Sequence, residues 1–304
     1  MKETADSDKP WRASPAIRIS IGLHVILLPV VGAAIFVGLQ ASPPTSGHAL
    51  DVALAALAIL LSNHLLLTFA GLWPRSRLLG PNLRDLHNTE AGAAKIFLTI
   101  DDGPEPEVTP QVLDLLAAHG GRASFFLIGR KAQAQPALLE RIANEGHRIE
   151  NHSWAHSHRF SFMGPGTLTR ELSRAQAALG AIGRQPRWFR APAGLRNPLL
   201  EPVLCRLGLH LATWTRRGFD TREASADKVL RRLAGDPAGR LLRAGDILLL
   251  HDGNPARDAG GVPVILRTLP LLLVACHARG FEVAALPDPE TIPNPSQGHA
   301  DTGF

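Results

Sequence analysis

Residues 95–103 read KIFLTIDDG, an apolar run that ends in the adjacent carboxylates of Asp101 and Asp102. Further along, the segment HSWAH places His152 and His156 four positions apart. One carboxylate and two imidazoles can form a set of metal ligands that leaves positions open for water and substrate. The other carboxylate is then available as a base for that water. Together the two segments predict a metal-assisted hydrolase.

After residue 90, short apolar runs alternate with helical patterns. Seven runs are predicted as strands: Lys95–Asp101, Arg122–Gly129, His147–Asn151, Arg187–Ala191, His210–Thr215, Asp246–His251 and Phe281–Leu286. Helices are predicted between them at Thr109–His119, Ala132–Glu145, Thr167–Leu179, Pro198–Leu207 and Val262–Arg279. Such an alternation predicts an α/β protein with a parallel sheet, which can close as a barrel with its active site at the carboxyl ends of the strands.

The polar candidates follow these predicted strand ends. In chain order they are Asp101 and Asp102 at the first strand, His152 and His156 after the third, Arg190 at the fourth, Asp220 after the fifth and His251 at the end of the sixth. Because the carboxyl ends of parallel strands share one edge of a sheet, we expect all of them on one face of the domain.

These residues fall within five ordered motifs: Thr99–Gly103, His152–His156, Arg190–Gly194, Trp214–Asp220 and Leu248–His251. In order and spacing the motifs resemble the NodB-type polysaccharide deacetylases, carbohydrate esterase family 4, over roughly residues 93–287. The resemblance implies a distorted (β/α) barrel and a bound divalent metal. It also implies hydrolysis of an N-acetyl group on an amino sugar.

The resemblance implies a role for each motif residue. Asp102, His152 and His156 would hold the metal, with Zn²⁺ expected and Co²⁺, Mn²⁺ or Ni²⁺ as alternatives. Asp101 would act as general base, oriented by Arg190, and His251 would act as general acid, oriented by Asp220, which raises its pKa. The backbone N–H of Ala193 would contribute to an oxyanion site, and Trp214 would line the substrate site.

Two positions depart from the family pattern. Ala193 stands where the third motif commonly has Tyr, and the chain contains no Tyr at all. Thr221 follows Asp220 where the fourth motif commonly has Trp. Both changes remove a large side chain, so we expect a more open substrate pocket than in polymer-specific members.

Residues 19–39 form a run without a charged side chain. Residues 52–73 form a second uncharged run, with the polar residues Asn63 and His64 in its middle. Each run is long enough to cross a bilayer of about 30 Å as a helix. The two predict a transmembrane hairpin in which a neighbouring helix satisfies the polar groups. A cleaved signal peptide is the alternative interpretation of the first run.

Basic residues flank this predicted hairpin and are absent between its spans. They are Lys2, Lys9, Arg12 and Arg18 before it, and Arg75, Arg77 and Arg84 after it. The positive-inside rule therefore predicts an inner-membrane protein whose catalytic domain lies in the cytoplasm. A periplasmic or extracellular catalytic domain is the alternative.

Composition excludes other classes of function. The net charge is +5 and the pI is about 9.8, yet no zinc-finger spacing or basic stripe with aromatics predicts a nucleic-acid partner. An anionic membrane surface accounts better for the charge. The two cysteines, Cys205 and Cys276, are expected to be buried free thiols, which favours a reducing compartment.

We therefore expect a membrane anchor and linker at 1–90, a deacetylase domain at 91–290 and a flexible tail at 291–304. The leading hypothesis is a metal-dependent deacetylase that removes an acyl group, expected to be acetyl, from an amino sugar in a glycan or lipid-linked glycan. Alternatives are an extracytoplasmic deacetylase of peptidoglycan or exopolysaccharide, a deformylase of an undecaprenyl-linked amino sugar, and a metal-binding membrane scaffold without activity.

Overall fold

Two long apolar helices precede the catalytic domain in the computed structural model, which describes residues 14–40, 45–235 and 241–292. They are α1, Pro15–Gln40, and α2, Thr45–Leu72, and by length and composition both could cross a membrane. The helices pack against each other, and Asn63 Nδ2 of α2 donates to Ser20 Oγ of α1 at 2.8 Å. The polar group in the second predicted span thus has its partner on the neighbouring helix.

The domain that follows alternates strands and helices. Its described strands are β1 Lys95–Asp101, β2 Ser124–Leu127, β3 Arg148–Asn151, β4 Trp188–Phe189, β5 His210–Leu211, β6 Arg216–Arg217, β7 Ile247–His251 and β8 Glu282–Ala284. Its described helices are α3 Thr109–Ala118, α4 Gly129–Ala134, α5 Pro136–Asn144, α6 Pro165–Leu179, α7 Leu200–Arg206, α8 Ala226–Ala234 and α9 Val264–His277.

The described strands form one curled parallel sheet in the order β5-β4-β3-β2-β1-β7-β6, and β8 pairs with the start of β1. Along β1, Ile96, Leu98 and Ile100 pack in the core between the sheet and its helices. The alternate residue Phe97 packs in a second cluster, so Thr99 and Asp101 point to that other, inner side. The predicted α/β architecture, a distorted (β/α) barrel, is confirmed.

The strand predicted at His210–Thr215 is shorter in the structure, and a separate strand begins just after it at Arg216. Its first part, β5, pairs with β4, and the chain then reaches β6, which pairs with β7. Between them, Thr213 N donates to Leu83 O at 2.7 Å, and Leu83 forms a parallel bridge with Ala212. Strand β5 ends where the linker after α2 takes the place of a neighbouring strand: Leu83 N donates to Leu211 O at 2.9 Å, although Ala212 N still donates to Phe189 O in β4.

The helices differ from the prediction in two places. The helix predicted at Ala132–Glu145 is two helices, α4 and α5, because Pro136 has no N–H to continue the ladder and favours a helix start. Helix α8 was not predicted, although Ser225 caps it by accepting from Lys228 N at 3.4 Å and Asp227 lies in its first turn.

The cysteine prediction is half correct. Both thiols are free and Cys276 is buried in α9, but Cys205 is exposed. Helix α7 buries the face that contains Leu200, Val203 and Leu204, and Cys205 lies off that face. Of the predicted tail at 291–304, all but the first two residues lie outside the described residues.

Candidate metal centre and active site

Three side chains converge at the carboxyl edge of the sheet. Asp102 Oδ1 lies 3.2 Å from His152 Nε2 and 3.2 Å from His156 Nε2. One ligand atom from each residue lies within 4.8 Å of the others. The sequence prediction that these three residues would meet is therefore matched by the geometry of the site.

Irregular loops at the ends of β1 and β3 create this convergence. Asp102, Ser153 and His156 all adopt positive φ, at 76°, 65° and 50°. Such conformations are uncommon outside glycine and persist only where surrounding contacts hold them. Here Asn151 Oδ1 accepts from Ser153 N at 2.9 Å, and Ser153 Oγ accepts from His156 N at 3.0 Å. The two histidines are thus aligned by a hydrogen-bonded loop rather than by a helical turn.

The contacts of His152 determine which nitrogen faces the site. Its Nδ1 lies 2.8 Å from the carbonyl oxygen of Arg190, which can only accept a hydrogen bond. Nδ1 therefore carries the proton, and Nε2 keeps the lone pair that faces Asp102. A ligand histidine whose second nitrogen donates to a carbonyl is the usual arrangement in metal sites.

The donor set fits a divalent metal. Asp102 Oδ1 is buried without a hydrogen-bond partner in the described structure, an arrangement that costs free energy unless a cation satisfies it. Burial raises the pKa of Asp102, whereas the positive charge that the adjacent histidines carry when protonated lowers it to below its usual range. Burial also lowers the pKa of His156 to about 4, so this imidazole is neutral and available as a ligand at neutral pH.

Asp101 stands beside the three ligands without joining them. Arg190 donates from Nη1 to Asp101 Oδ1 at 2.7 Å and to Thr99 Oγ1 at 2.8 Å. Asp101 Oδ2 lies 3.9 Å from His152 Nε2, on the ligand side. Arg190 is fully buried and also donates to the carbonyl oxygens of residues 212 and 213. One carboxylate oxygen is therefore fixed by Arg190, and the other faces the site where a base would act.

His251 completes the arrangement from the neighbouring strand. It is the register partner of Asp101 across β1 and β7. Asp220 binds it twice, accepting from His251 N at 2.7 Å and lying 2.9 Å from Nδ1. Burial lowers the pKa of His251, but Asp220 together with Asp101 and Asp102 raises it more, so the net pKa is above its ordinary value. A histidine oriented in this way can donate a proton from Nε2.

The turn after Arg190 lies at the same edge. Ala193 is exposed and adopts φ 53°, a left-handed conformation that a non-glycine residue rarely takes. A Cβ built on Gly194 would lie 2.8 Å from the Trp214 ring and 2.8 Å from Pro74. Trp214 is thus a buried packing partner of this turn in the structure, and its substrate contact remains a prediction.

The sequence and fold comparisons agree with this geometry. The polysaccharide deacetylase family profile matches residues 88–212. The chitooligosaccharide deacetylase of Bradyrhizobium sp. (strain ANU 289) is 33% identical over 205 residues, which cover 65% of this chain and 91% of that protein. The chain belongs to the polysaccharide deacetylase family.

Other members of the polysaccharide deacetylase family match at similar levels. A peptidoglycan-N-acetylglucosamine deacetylase of Bacillus cereus is 30% identical over 197 residues, which cover 64% of this chain and 67% of that protein. Among solved structures, a family 4 carbohydrate esterase from Streptomyces lividans in complex with acetate has 29% identity and a TM-score of 0.57. That match covers 65% of this chain and 95% of the esterase. Deacetylases of this family are hydrolases of amide bonds that use a divalent metal.

One buried carboxylate at the site was missed by sequence reasoning. Asp252 is fully buried, and its Oδ2 accepts from Thr109 Oγ1 at 2.5 Å. Thr109 Oγ1 in turn accepts from Glu105 N at 2.7 Å, which ties the loop after Asp102 to the end of β7. Burial raises the pKa of Asp252 to about 7. The sequence does contain one indication of it, because Asp252 directly follows an apolar strand that ends at His251.

Proposed function

We propose that this polysaccharide deacetylase family member removes the acetyl group from an amino sugar. The observation that carries the proposal is the convergence of Asp102, His152 and His156 beside Asp101, with His251 in register on the adjacent strand. The names of the relatives support an N-acetylated amino sugar as substrate, since they act on chitooligosaccharides and on peptidoglycan N-acetylglucosamine.

In this proposal Asp102, His152 and His156 hold the metal, which we expect to be Zn²⁺. Such a metal polarises the amide carbonyl and lowers the pKa of water at its open positions. Asp101 Oδ2 takes a proton from water as the water oxygen attacks the carbonyl carbon. The C–N bond then breaks, His251 gives a proton to the leaving amine, and the products are acetate and the free amino sugar.

Three features of the chain preorganise these steps. Arg190 fixes the orientation of Asp101, because its Nη1 donates to Asp101 Oδ1 at 2.7 Å. Asp220 does the same for protonated His251. The exposed turn at Ala193 would direct a backbone N–H toward the oxyanion.

We further propose that α1 and α2 anchor the protein in the inner membrane, with residues 1–90 as anchor and linker and 91–290 as the catalytic domain. The distribution of basic residues supports a cytoplasmic catalytic domain. On that side of the membrane finished wall polymer is out of reach, and an amino sugar carried by a lipid becomes the natural substrate. A domain on the outer side would act on peptidoglycan or exopolysaccharide instead.

Acetate release tests the proposed chemistry. The full chain in detergent, supplied with Zn²⁺, should release acetate from N-acetylglucosamine oligomers. Asp101→Asn should lower kcat by about 10²–10⁴-fold, because general-base catalysis typically contributes that much. The same variant should retain bound zinc, measured by elemental analysis. A wild-type protein that binds zinc but releases no acetate from any N-acetylated amino sugar would support the scaffold hypothesis instead.

A further inference from the structure

The end of α2 lies directly on the catalytic face of the domain. Arg196 N, just beyond the turn at Ala193, donates to Gly71 O in the last turn of α2 at 3.1 Å. A Cβ on Gly71 would overlap the carbonyl oxygen of Arg196, so the two backbones are in contact. The long helix therefore meets the domain at the edge that carries the metal ligands.

A buried hydrogen-bond network makes this junction rigid. Asn82 Nδ2 donates to the carbonyl oxygens of Pro74 and Ser76, both at 2.9 Å. The Arg196 guanidinium donates to Ser76 O, and Thr213 Oγ1 donates to Asn82 Oδ1 at 3.1 Å. Ser76, Asn82, Arg196 and Thr213 are all buried. Because breaking such a network would leave buried polar groups unpaired, the helix and the catalytic face hold one orientation.

Large apolar side chains are exposed beside the junction. Trp73, directly after α2, is 53% exposed, and Phe162 is 86% exposed, the highest value for a large apolar side chain among the described residues. Phe162 lies on the loop that follows His156, and Asn197 Nδ2 fixes this loop by donating to the carbonyl oxygens on either side of Phe162, at 2.9 and 3.0 Å. Leu199, also exposed, lies next to that contact. Trp73, Phe162 and Leu199 form an apolar rim that continues the surface of the hairpin onto the catalytic face.

We propose that the catalytic face lies against the membrane surface, with Trp73 and Phe162 in the headgroup region, and that the substrate is an amino sugar attached to a membrane lipid. The inference rests on the anchoring and the deacetylation proposed above. If α2 crosses a bilayer, its end at Leu72 lies at the interface, where Trp is favoured. The rigid junction then holds the mouth of the site at the same depth. A sugar at the headgroup of a lipid reaches the metal ligands without leaving the membrane.

A bilayer accounts for this surface better than a protein partner does. Trp73 directly follows α2, one of two helices whose own side chains are mostly exposed and apolar, and the loop of Phe162 is held by Asn197, next to the contact of Arg196 with α2. A bilayer that covers the helices also reaches the rim, whereas a protein partner would have to cover the rim alone. Placing aromatic rings at the headgroup level is favourable because their apolar bodies leave water.

Quenching by lipids tests the placement of the rim. The full chain with Cys205→Ser and Phe162→Cys carries one exposed cysteine among its described residues, since Cys276 is buried. This cysteine is labelled with an environment-sensitive dye in vesicles whose lipids bear a spin label near the headgroup. The control carries Val274→Cys in the same background. Val274 is 56% exposed near the end of α9, where the chain returns to the amino ends of the strands.

We expect loss of fluorescence at position 162 and none at position 274. Equal fluorescence at both positions, with and without spin-labelled lipid, would overturn the placement. This readout does not depend on turnover, so it decides the placement even if the deacetylase proposal fails.

The substrate is tested separately with the unlabelled wild-type chain. In vesicles it should deacetylate an N-acetylglucosamine lipid about tenfold faster than a soluble N-acetylglucosamine oligomer at equal bulk concentration, because the membrane concentrates the lipid near the site. A faster reaction with the soluble oligomer would reject the lipid-linked substrate. Failure on both substrates would contradict the proposed function itself.

Discussion

Asp102 illustrates why a metal site is costly to build without its metal. The side chain is mostly buried, its backbone is left-handed, and its buried Oδ1 has no hydrogen-bond donor among the described residues. Each of these features raises the free energy of the folded chain. A cation bound by Asp102, His152 and His156 would offset these costs, which supports the proposal that the three residues are its ligands.

Replacement of Asp102 by Asn should therefore remove metal binding and activity together. Asn preserves the size of the side chain but removes the charge that attracts the cation. The loss of zinc affinity should exceed the roughly 10–100-fold typical of an outer hydrogen-bonding partner. Titration with zinc under competition from a chelator measures the affinity. Zinc affinity equal to that of the wild type would refute the assignment of Asp102 as a ligand.

His147, away from the metal centre, makes stability depend on pH. Its Nδ1 accepts from Ala123 N at 3.2 Å, so the ring is held neutral. Burial, together with the charge of Arg122, lowers the pKa of His147 to about 4. The pKa of His147 is lower in the folded chain than in the unfolded chain. Its contribution to the free energy of unfolding is therefore complete above about pH 6.5 and disappears as the pH falls toward 4.

This shift predicts a loss of about 3 kcal/mol of stability between pH 7 and pH 4 from His147 alone. His147→Asn keeps an acceptor near Ala123 N but cannot be protonated. Thermal unfolding of the full chain in detergent should therefore show a smaller pH-dependent decrease in Tm for the variant. Equal decreases in Tm for the wild type and the variant between about pH 7 and pH 4 would show that His147 does not contribute to the pH dependence of stability.

At the scale of elements, the turn at Ala193 connects the catalytic face to the end of α2. Gly194 adopts φ 74°, and a Cβ there would lie 2.8 Å from both Pro74 and the Trp214 ring. These short distances mean that the turn packs against the linker after α2 and against Trp214 with no space for a methyl group.

Gly194→Ala should destabilise the protein and reduce turnover while zinc binding remains. Gly183→Ala is a matched control, because Gly183 also has positive φ, at 96°, but a Cβ there would have no atom within 4 Å. Both variants carry the left-handed backbone cost of about 1 kcal/mol, and only Gly194→Ala adds the overlap. Comparison of Tm and kcat separates the two effects. Equal decreases in Tm and in kcat for the two variants would mean that the packing around Gly194 contributes to neither stability nor turnover.

The same scale shows what sequence patterns can and cannot predict. Strand β1 was predicted with its observed bounds because a continuous apolar run ends in polar residues. The other strands are shorter than predicted, since a pattern of apolar residues continues beyond the last ladder hydrogen bond. The break at Ala212 could not be predicted, because its partner, Leu83, comes from a linker with no strand pattern of its own.

The same limit applies to the candidate site. Motif spacing brought Asp101, Asp102 and His251 to one edge, because parallel strands share their carboxyl ends. It did not include Asp252, whose contact with Thr109 depends on how two loops fold over each other. Nor did it reveal that α2 ends against Arg196, since the contact is between backbone atoms.

For the whole molecule, the side of the membrane determines which substrates can reach the site. The connection between α1 and α2 contains no Lys or Arg, whereas basic residues precede α1 and follow α2. Moving positive charge across the membrane during insertion is unfavourable, so this distribution favours both ends in the cytoplasm. The catalytic face, joined rigidly to the end of α2, would then lie on the inner surface.

Reporter fusions after residue 304 test this orientation directly. Alkaline phosphatase, which is active only outside the cytoplasm, should be inactive there, and a green fluorescent protein should fluoresce. Ser46→Arg with Gly47→Arg adds positive charge at the start of α2, next to the connection, and should shift part of the population to the opposite orientation, which raises phosphatase activity. Full phosphatase activity in the unmodified chain would place the domain outside. The rim would then face the outer leaflet, and lipid-linked sugars after export, or wall polymer close to the membrane, would become the accessible substrates.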